Sequence, residues 1–109
     1  MPYDRQLAER LRATLADEPD ITEKAMFGGL GFMASGSMAV AASSQGALMV
    51  RIDPAAGEDL IDGDHVQPMV MRGRAMAGWL LVDLAALDSD DALRTWVGRG
   101  VAYARSLAG

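Results

Sequence analysis

The sequence predicts an α+β fold, an antiparallel sheet with helices on one face, in the order α-β-β-β-α-β-β-α. Three observations predict it. Apolar residues recur at three- and four-residue spacing near both ends of the chain, as Tyr3, Leu7, Leu11 and Leu15 and again from Leu93 to Leu107. Between them the pattern changes to alternation with period two, broken by glycines. Asp53-Pro54, an N-cap residue followed by proline at the first helical position, then sets one helix between two groups of strands.

The elements follow in order. Tyr3 to Ala16 is the first helix, and Asp17-Glu18-Pro19-Asp20 ends it. Ile21 to Phe27 is extended in character, a further strand ahead of the break at Gly28-Gly29. Leu30 to Ala34 and Ser37 to Ser43 are the arms of a hairpin about Ser35-Gly36. Leu30, Phe32 and Ala34 share one face, as do Met38, Val40 and Ala42. The alternate positions, Gly29, Gly31, Ala39 and Ala41, are small, which suggests a close approach by another element. After the turn Ser44-Gln45-Gly46, Ala47 to Ile52 turns Leu48, Val50 and Ile52 to one face and Met49 and Arg51 to the other. A short helix from Pro54 ends by Gly63, and Gly57 weakens it. Val66 to Arg72 and Gly78 to Asp83 are the last strands, joined by a turn region from Gly73 to Ala77. The final helix begins near Asp88 and buries Leu93, Trp96, Val97, Val101, Ala104 and Leu107. Gly98 and Gly100 each cost about 1 kcal/mol in its interior, a cost that close packing would offset.

Length and composition bound the function. At 109 residues, one domain over 1–109 is expected. The chain has no cysteine, which excludes disulfides, a thiolate nucleophile and cysteine-ligated zinc. The N-terminus lacks the continuous apolar stretch of a signal peptide, and no run is long enough to span a bilayer, so a cytoplasmic protein is expected. The net charge of −5 disfavours direct nucleic-acid binding. An alternative would use Arg72, Arg74, Arg94, Arg99 and Arg105 as a phosphate-contacting surface.

Residues that carry chemistry are sparse. The single histidine, His65, sits in Asp62-Gly63-Asp64-His65 with no second histidine or glutamate nearby, which reads as a solvated loop rather than a metal site. The glycines at 28, 29 and 31 neither open a helix nor precede Gly-Lys-Ser/Thr, so they form no phosphate loop. The serines at 35, 37, 43 and 44 stand at turns and have no base beside them. No catalytic residue, cofactor site or metal ligand is therefore assigned. What stands out is methionine: beyond the initiator, seven lie between residues 26 and 76 and none in either long helix. Methionine adapts to irregular surfaces. Met33, Met49 and Met69 or Met71 are expected on the sheet face away from the helices, an apolar face needing a cover such as a second subunit. The candidate interaction surface comprises Met26, Phe27, Gly28, Gly29, Met33, Met49, Arg51, Arg72, Arg74 and Trp79. A pocket near Gly28, Arg51, Arg72 and Trp79 for a small molecule is the remaining alternative.

Four blocks carry a family resemblance: Lys24-Ala25-Met26-Phe27-Gly28-Gly29-Leu30-Gly31-Phe32-Met33, Leu48-Met49-Val50-Arg51-Ile52-Asp53-Pro54, Met71-Arg72-Gly73-Arg74-Ala75-Met76-Ala77-Gly78-Trp79, and Trp96-Val97-Gly98-Arg99-Gly100-Val101-Ala102-Tyr103-Ala104. Together they resemble the N-terminal domain of the TfoX/Sxy family, described as regulators of DNA transformation competence. The first and third blocks are the specific ones. The resemblance implies a fold like the secretion-chaperone-like domains, a homodimer, and action with the cyclic-AMP receptor protein rather than as a stand-alone DNA binder. Full regulators of the family carry a second, C-terminal domain, whereas this sequence stops at Ser106-Leu107-Ala108-Gly109. The family supplies no catalytic residues to carry over.

Overall fold

In the computed structural model, which describes residues 3–26, 28–71 and 73–108, the alternating middle of the chain becomes one six-stranded antiparallel sheet. The strands are β1 (Ile21–Met26), β2 (Gly29–Ala34), β3 (Ser37–Ala42), β4 (Leu48–Arg51), β5 (Val66–Met71) and β6 (Arg74–Val82). Their spatial order is β1-β2-β3-β4-β6-β5. The helices are α1 (Arg5–Thr14), α2 (Pro54–Leu60) and α3 (Asp90–Ala108), with a short 3-10 helix at Leu84–Leu87. The α+β class and the element order are those the sequence predicts, and the extended segment ahead of Gly28 is the additional strand, β1. Among the described residues, no helix is long and apolar enough to cross a membrane.

Each helix begins on a side-chain cap. The Asp4 carboxylate accepts the Leu7 N–H at 2.8 Å, Asp53 accepts from Ala55 at 2.9 Å, and Ser89 Oγ accepts from Ala92 at 3.1 Å. The third cap places the start of α3 at Asp90 rather than Asp88, because the 3-10 helix occupies the preceding turn. α2 stops at Leu60, short of Gly63, since Asp62 turns its carboxylate to the N–H groups of Asp64, His65 and Val66 and launches β5 instead.

The β2–β3 hairpin turns at Ser35 and Gly36, with φ of 52° and 85°, the mirror-type turn whose twist suits a two-residue loop. Ser35 is the one non-glycine among the described residues in the left-handed region. Its strain is offset by Asp20, whose backbone carbonyl accepts the Ser35 N–H at 3.3 Å and whose carboxylate accepts its hydroxyl at 2.5 Å. The same carboxylate receives Arg105 from α3, through Nη2 at 2.5 Å and Nε at 3.0 Å. Arg105 also meets Glu18 at 2.7 Å. One arginine thus ties the end of α3 to the α1–β1 loop and to the hairpin. The bidentate Arg105 contact, with help from Ser35, holds the Asp20 carboxyl far below the usual carboxylate range. On the opposite side of α1, Arg12 forks onto Glu23 of β1 at 2.9 and 3.0 Å.

The core lies between the sheet and the helices. Leu30 and Phe32 of β2, Val40 and Ala42 of β3, Leu48 and Val50 of β4, and Leu80 and Val82 of β6 face Leu7 and Leu11 of α1 and Leu93, Val97, Val101 and Ala104 of α3. Burying a side chain the size of Leu or Phe contributes roughly 1.5–3 kcal/mol. Leu107 does not belong to the buried stripe: it is 46% exposed. Trp96 is only partly buried against the core.

Two irregularities shape the sheet. In β3 the register passes from Phe32↔Val40 to Met33↔Met38, so Ala39 is an extra, bulged residue. The bulge changes the phase of the strand. Ala39 is turned to the helix side with Val40, and Met38 is carried to the opposite face, beside Met33. This corrects the simple alternation, which grouped Met38 with Val40 and Ala42. The second irregularity is in β6, where Gly78 adopts φ 85° and its carbonyl accepts the Ile52 N–H at 2.8 Å. A Cβ at Gly78 would lie 3.2 Å from the Ile52 carbonyl oxygen. β6 bends there but continues back to Arg74, so residues 74–77, expected as a turn, are strand.

The two glycines of α3 behave differently. A Cβ on Gly100 would lie 2.4 Å from the Ala39 carbonyl oxygen and 2.9 Å from Val40 Cγ1, whereas one on Gly98 would meet nothing within 4 Å. Gly100→Ala is therefore expected to destabilise the protein by roughly 1–3 kcal/mol through overpacking against the bulge. Gly98→Ala should instead stabilise it by up to about 1 kcal/mol through helix propensity. Urea unfolding of the two variants checks the opposite signs. A further outcome concerns acid. Because the folded Asp20 carboxyl lies below its ordinary value of 3.8, its contribution is fully present above that pH and is lost as pH falls through and below it. Asp20→Asn should lower the urea midpoint at pH 7, and the gap to the unsubstituted protein should close as titration proceeds below about pH 4.

Candidate functional site

The face of the sheet away from the helices carries a methionine-lined groove. Its floor includes the small Ala41 of β3, with Met49 of β4 next across the sheet. Longer side chains rise around this floor: Met38 of β3, Met49 of β4, Met76 and Trp79 of β6, and Met69 with Val70 of the edge strand β5. Gly29 closes one side, and the β3–β4 turn, Ser43-Ser44-Gln45, closes the end. The groove has a volume of about 400 Å³. Met69 is only 4% exposed yet lies outside the helix-side core, so its burial belongs to this groove. The small residues of the strands thus serve two purposes: Ala39 admits α3 on one face, and Gly29 and Ala41 line the groove on the other.

Ser43 is the buried polar residue at the groove's end. Its hydroxyl donates to the Ala47 carbonyl at 2.8 Å and accepts the N–H groups of Gln45 and Ala47, each at 3.3 Å. It is fully occupied in holding the turn. Arg51 stands two residues beyond Met49 on the same face, directly opposite Trp79. Its guanidinium carbon lies 5.4 Å from the centroid of the Trp79 ring. Among the described residues Arg51 forms no ion pair, in contrast to Arg12, Arg94 and Arg105.

Of the candidate surface, the structure brings Gly29, Met49 and Trp79 into the groove, with Arg51 stacked at its end. Met33 shares the face and pairs with Met38. Gly28 is an exposed turn residue with φ 76°, and Arg74 is exposed at the start of β6, so neither lines the groove. Phe27, Arg72 and the side chain of Met26 lie outside the described residues. Sequence reasoning expected Met69 or Met71 on this face, and Met69 lines the groove, but it did not assign Met38, Val70 or Met76 to the site. Met38 was hidden by the bulge, and Met76 by the reading of Gly73 to Ala77 as a turn. The clustering of methionine in the sheet region was the available signal.

The other candidate chemistry is already engaged. The Asp62 carboxyl is lowered mainly by the three backbone N–H groups it accepts, so it serves as loop scaffold. His65 Nδ1 lies 3.8 Å from Asp83 Oδ2, with both side chains exposed. Among the described residues there is no group of three potential metal-ligating side chains. Of the arginines considered for nucleic acid, Arg105 is held by Asp20 and Glu18, Arg94 pairs with Asp91 at 2.6 Å, and Arg99 stacks on Trp96 at 4.5 Å. A cleft of about 520 Å³ between α2 and α3 is larger than the groove. It is the shallower of the two, and its one guanidinium, Arg99, already lies on Trp96.

The turn beside the groove supports a specific expectation. Ser43→Ala removes the hydroxyl that accepts the Gln45 and Ala47 N–H groups, while the Ala47 carbonyl keeps the Ser43 N–H, and should cost roughly 1–3 kcal/mol in urea unfolding.

A comparison with curated proteins returns no match. A comparison with family models matches the TfoX N-terminal domain over residues 13–104. That span runs from the end of α1 through the whole sheet to the last turns of α3, and it contains every residue that lines the groove. The chain is therefore a member of the TfoX N-terminal domain family.

Proposed function

We propose that the chain is a non-enzymatic regulatory module that works by binding protein across the open face of its sheet, with a second copy of itself among the partners. The family is linked to competence regulation in general, and transcriptional control of that process is the setting proposed here. The single observation that carries the reading is the groove. Seven of its lining side chains are apolar or thioether (Met38, Ala41, Met49, Met69, Val70, Met76 and Trp79) and lie on the face no helix covers. An apolar concavity of this kind, built from flexible thioethers, suits contact with protein surfaces. The acidic balance of the chain and the pairing of Arg94 and Arg105 favour this reading over direct contact with nucleic acid. The absence of cysteine accords with the cytoplasm as the proposed location.

The test couples sedimentation velocity to affinity capture from the source cells. The unsubstituted chain should sediment as a dimer or retain a protein partner. Met49→Lys places a charge in the middle of the groove and should abolish that association while leaving the unfolding midpoint within about 0.5 kcal/mol equivalent, as for a partly exposed site. A strictly monomeric profile with no captured partner, or an association that Met49→Lys leaves intact, contradicts the reading.

A further inference from the structure

We propose that the groove and Arg51 together form a binding site for a small amphipathic carboxylate, an acid with an unbranched alkyl chain, which thereby regulates access to the open sheet face. The inference rests on the reading of that face as the module's binding surface. It starts from Arg51, the cation that stands at the end of the groove beside Trp79. Arg51 and Met49 are two residues apart on β4 and lie on the same face, so their backbone positions stand roughly 7 Å apart along the strand.

Trp79 belongs to both parts. Its side chain lines the groove, and the Arg51 guanidinium lies 5.4 Å over its ring. A guanidinium over an aromatic ring keeps its N–H donors, and a carboxylate is the anion that can take two of them at once. The chain carries 15 acidic residues against 10 basic ones, yet none among the described residues pairs with Arg51. Charge complementarity therefore specifies an external anion. The surroundings specify the rest of the ligand. A volume of about 400 Å³ lies near the lower end of small-molecule sites. Its walls, Met38, Met49, Met69 and Met76, conform to a flexible chain and offer no fixed polar partner. At the far end Ser43 is occupied within its own turn, and the polar side chains of Ser44 and Gln45 are confined to that exposed end, away from the thioether walls. An anion with a polar body would lose hydration there without compensation. An alkyl carboxylate gains on both counts, and because it fills the space a protein partner would contact, it competes with that partner.

Isothermal titration of the purified chain with decanoate, decanol and decylamine tests the site. Decanoate should bind with one-to-one stoichiometry and at least about tenfold more tightly than decanol or decylamine. Arg51→Gln should remove that preference, and Arg51→Lys should restore it in part. Arg99→Gln, which alters the other arginine stacked on a tryptophan, should leave decanoate binding unchanged. Absence of saturable decanoate binding overturns the proposal, and so does equal binding of decanol to the unsubstituted protein. A similar loss in Arg51→Gln and Arg99→Gln also overturns it, since it would report non-specific charge attraction. These titrations need no protein partner, so their failure is distinct from failure of the partner assay.

Discussion

The approach of α3 to the bulged strand β3 is the constraint on which the rest of the structure depends. Gly100 lies so close to the Ala39 carbonyl that no side chain fits between them. The helix can sit there because Ala39 is an extra residue in its strand and carries only a methyl group. That seat sets the depth at which Val97, Val101 and Ala104 enter the core, and from it α1 is packed against both α3 and the sheet. Arg105, one turn beyond Val101, then closes onto Asp20 and fixes the far end of the helix.

The same bulge has a consequence on the opposite face. An extra residue in a strand reverses which side chains point up and down beyond it. Met38 is carried to the open face because Ala39 is turned inward. The helix seat and the groove are therefore two results of one backbone irregularity. Small residues serve close packing where α3 descends and leave a hollow where nothing covers the sheet. Gly78 acts similarly in β6, bending the strand around the start of α2 and placing Met76 and Trp79 at the groove.

The arginines are held in two ways, by carboxylates and by tryptophan rings. On the helix side, Arg12, Arg94 and Arg105 meet carboxylates, and these pairs join elements or stabilise a helix surface. On the open side, the cation that faces the groove rests on an aromatic ring. Exposed ion pairs add little stability individually, but the Asp20 carboxylate draws together Arg105, the strained Ser35 turn and the α1–β1 loop. Asp62 and Ser43 are committed to backbone turns, and Arg105 to the carboxylates of Asp20 and Glu18.

By itself the sequence determined what local rules can determine. Helical spacing marked α1 and α3, period-two alternation marked β2, β3 and β4, and Ser35-Gly36 and Asp53-Pro54 marked their turn and cap. Four motif blocks were enough to indicate the family. The methionine content of the sheet region was also legible, and with it the expectation of an apolar open face. The tertiary structure alone decided which methionines share the groove, that Gly100 is required while Gly98 is free of contact, and that Leu107 stays outside the buried stripe. The physical reason is that a bulge, a left-handed glycine within a strand and the end of a sheet are properties of pairing between distant segments. Residue spacing along one segment carries the period of a strand but not the point at which its partner shifts that period by one.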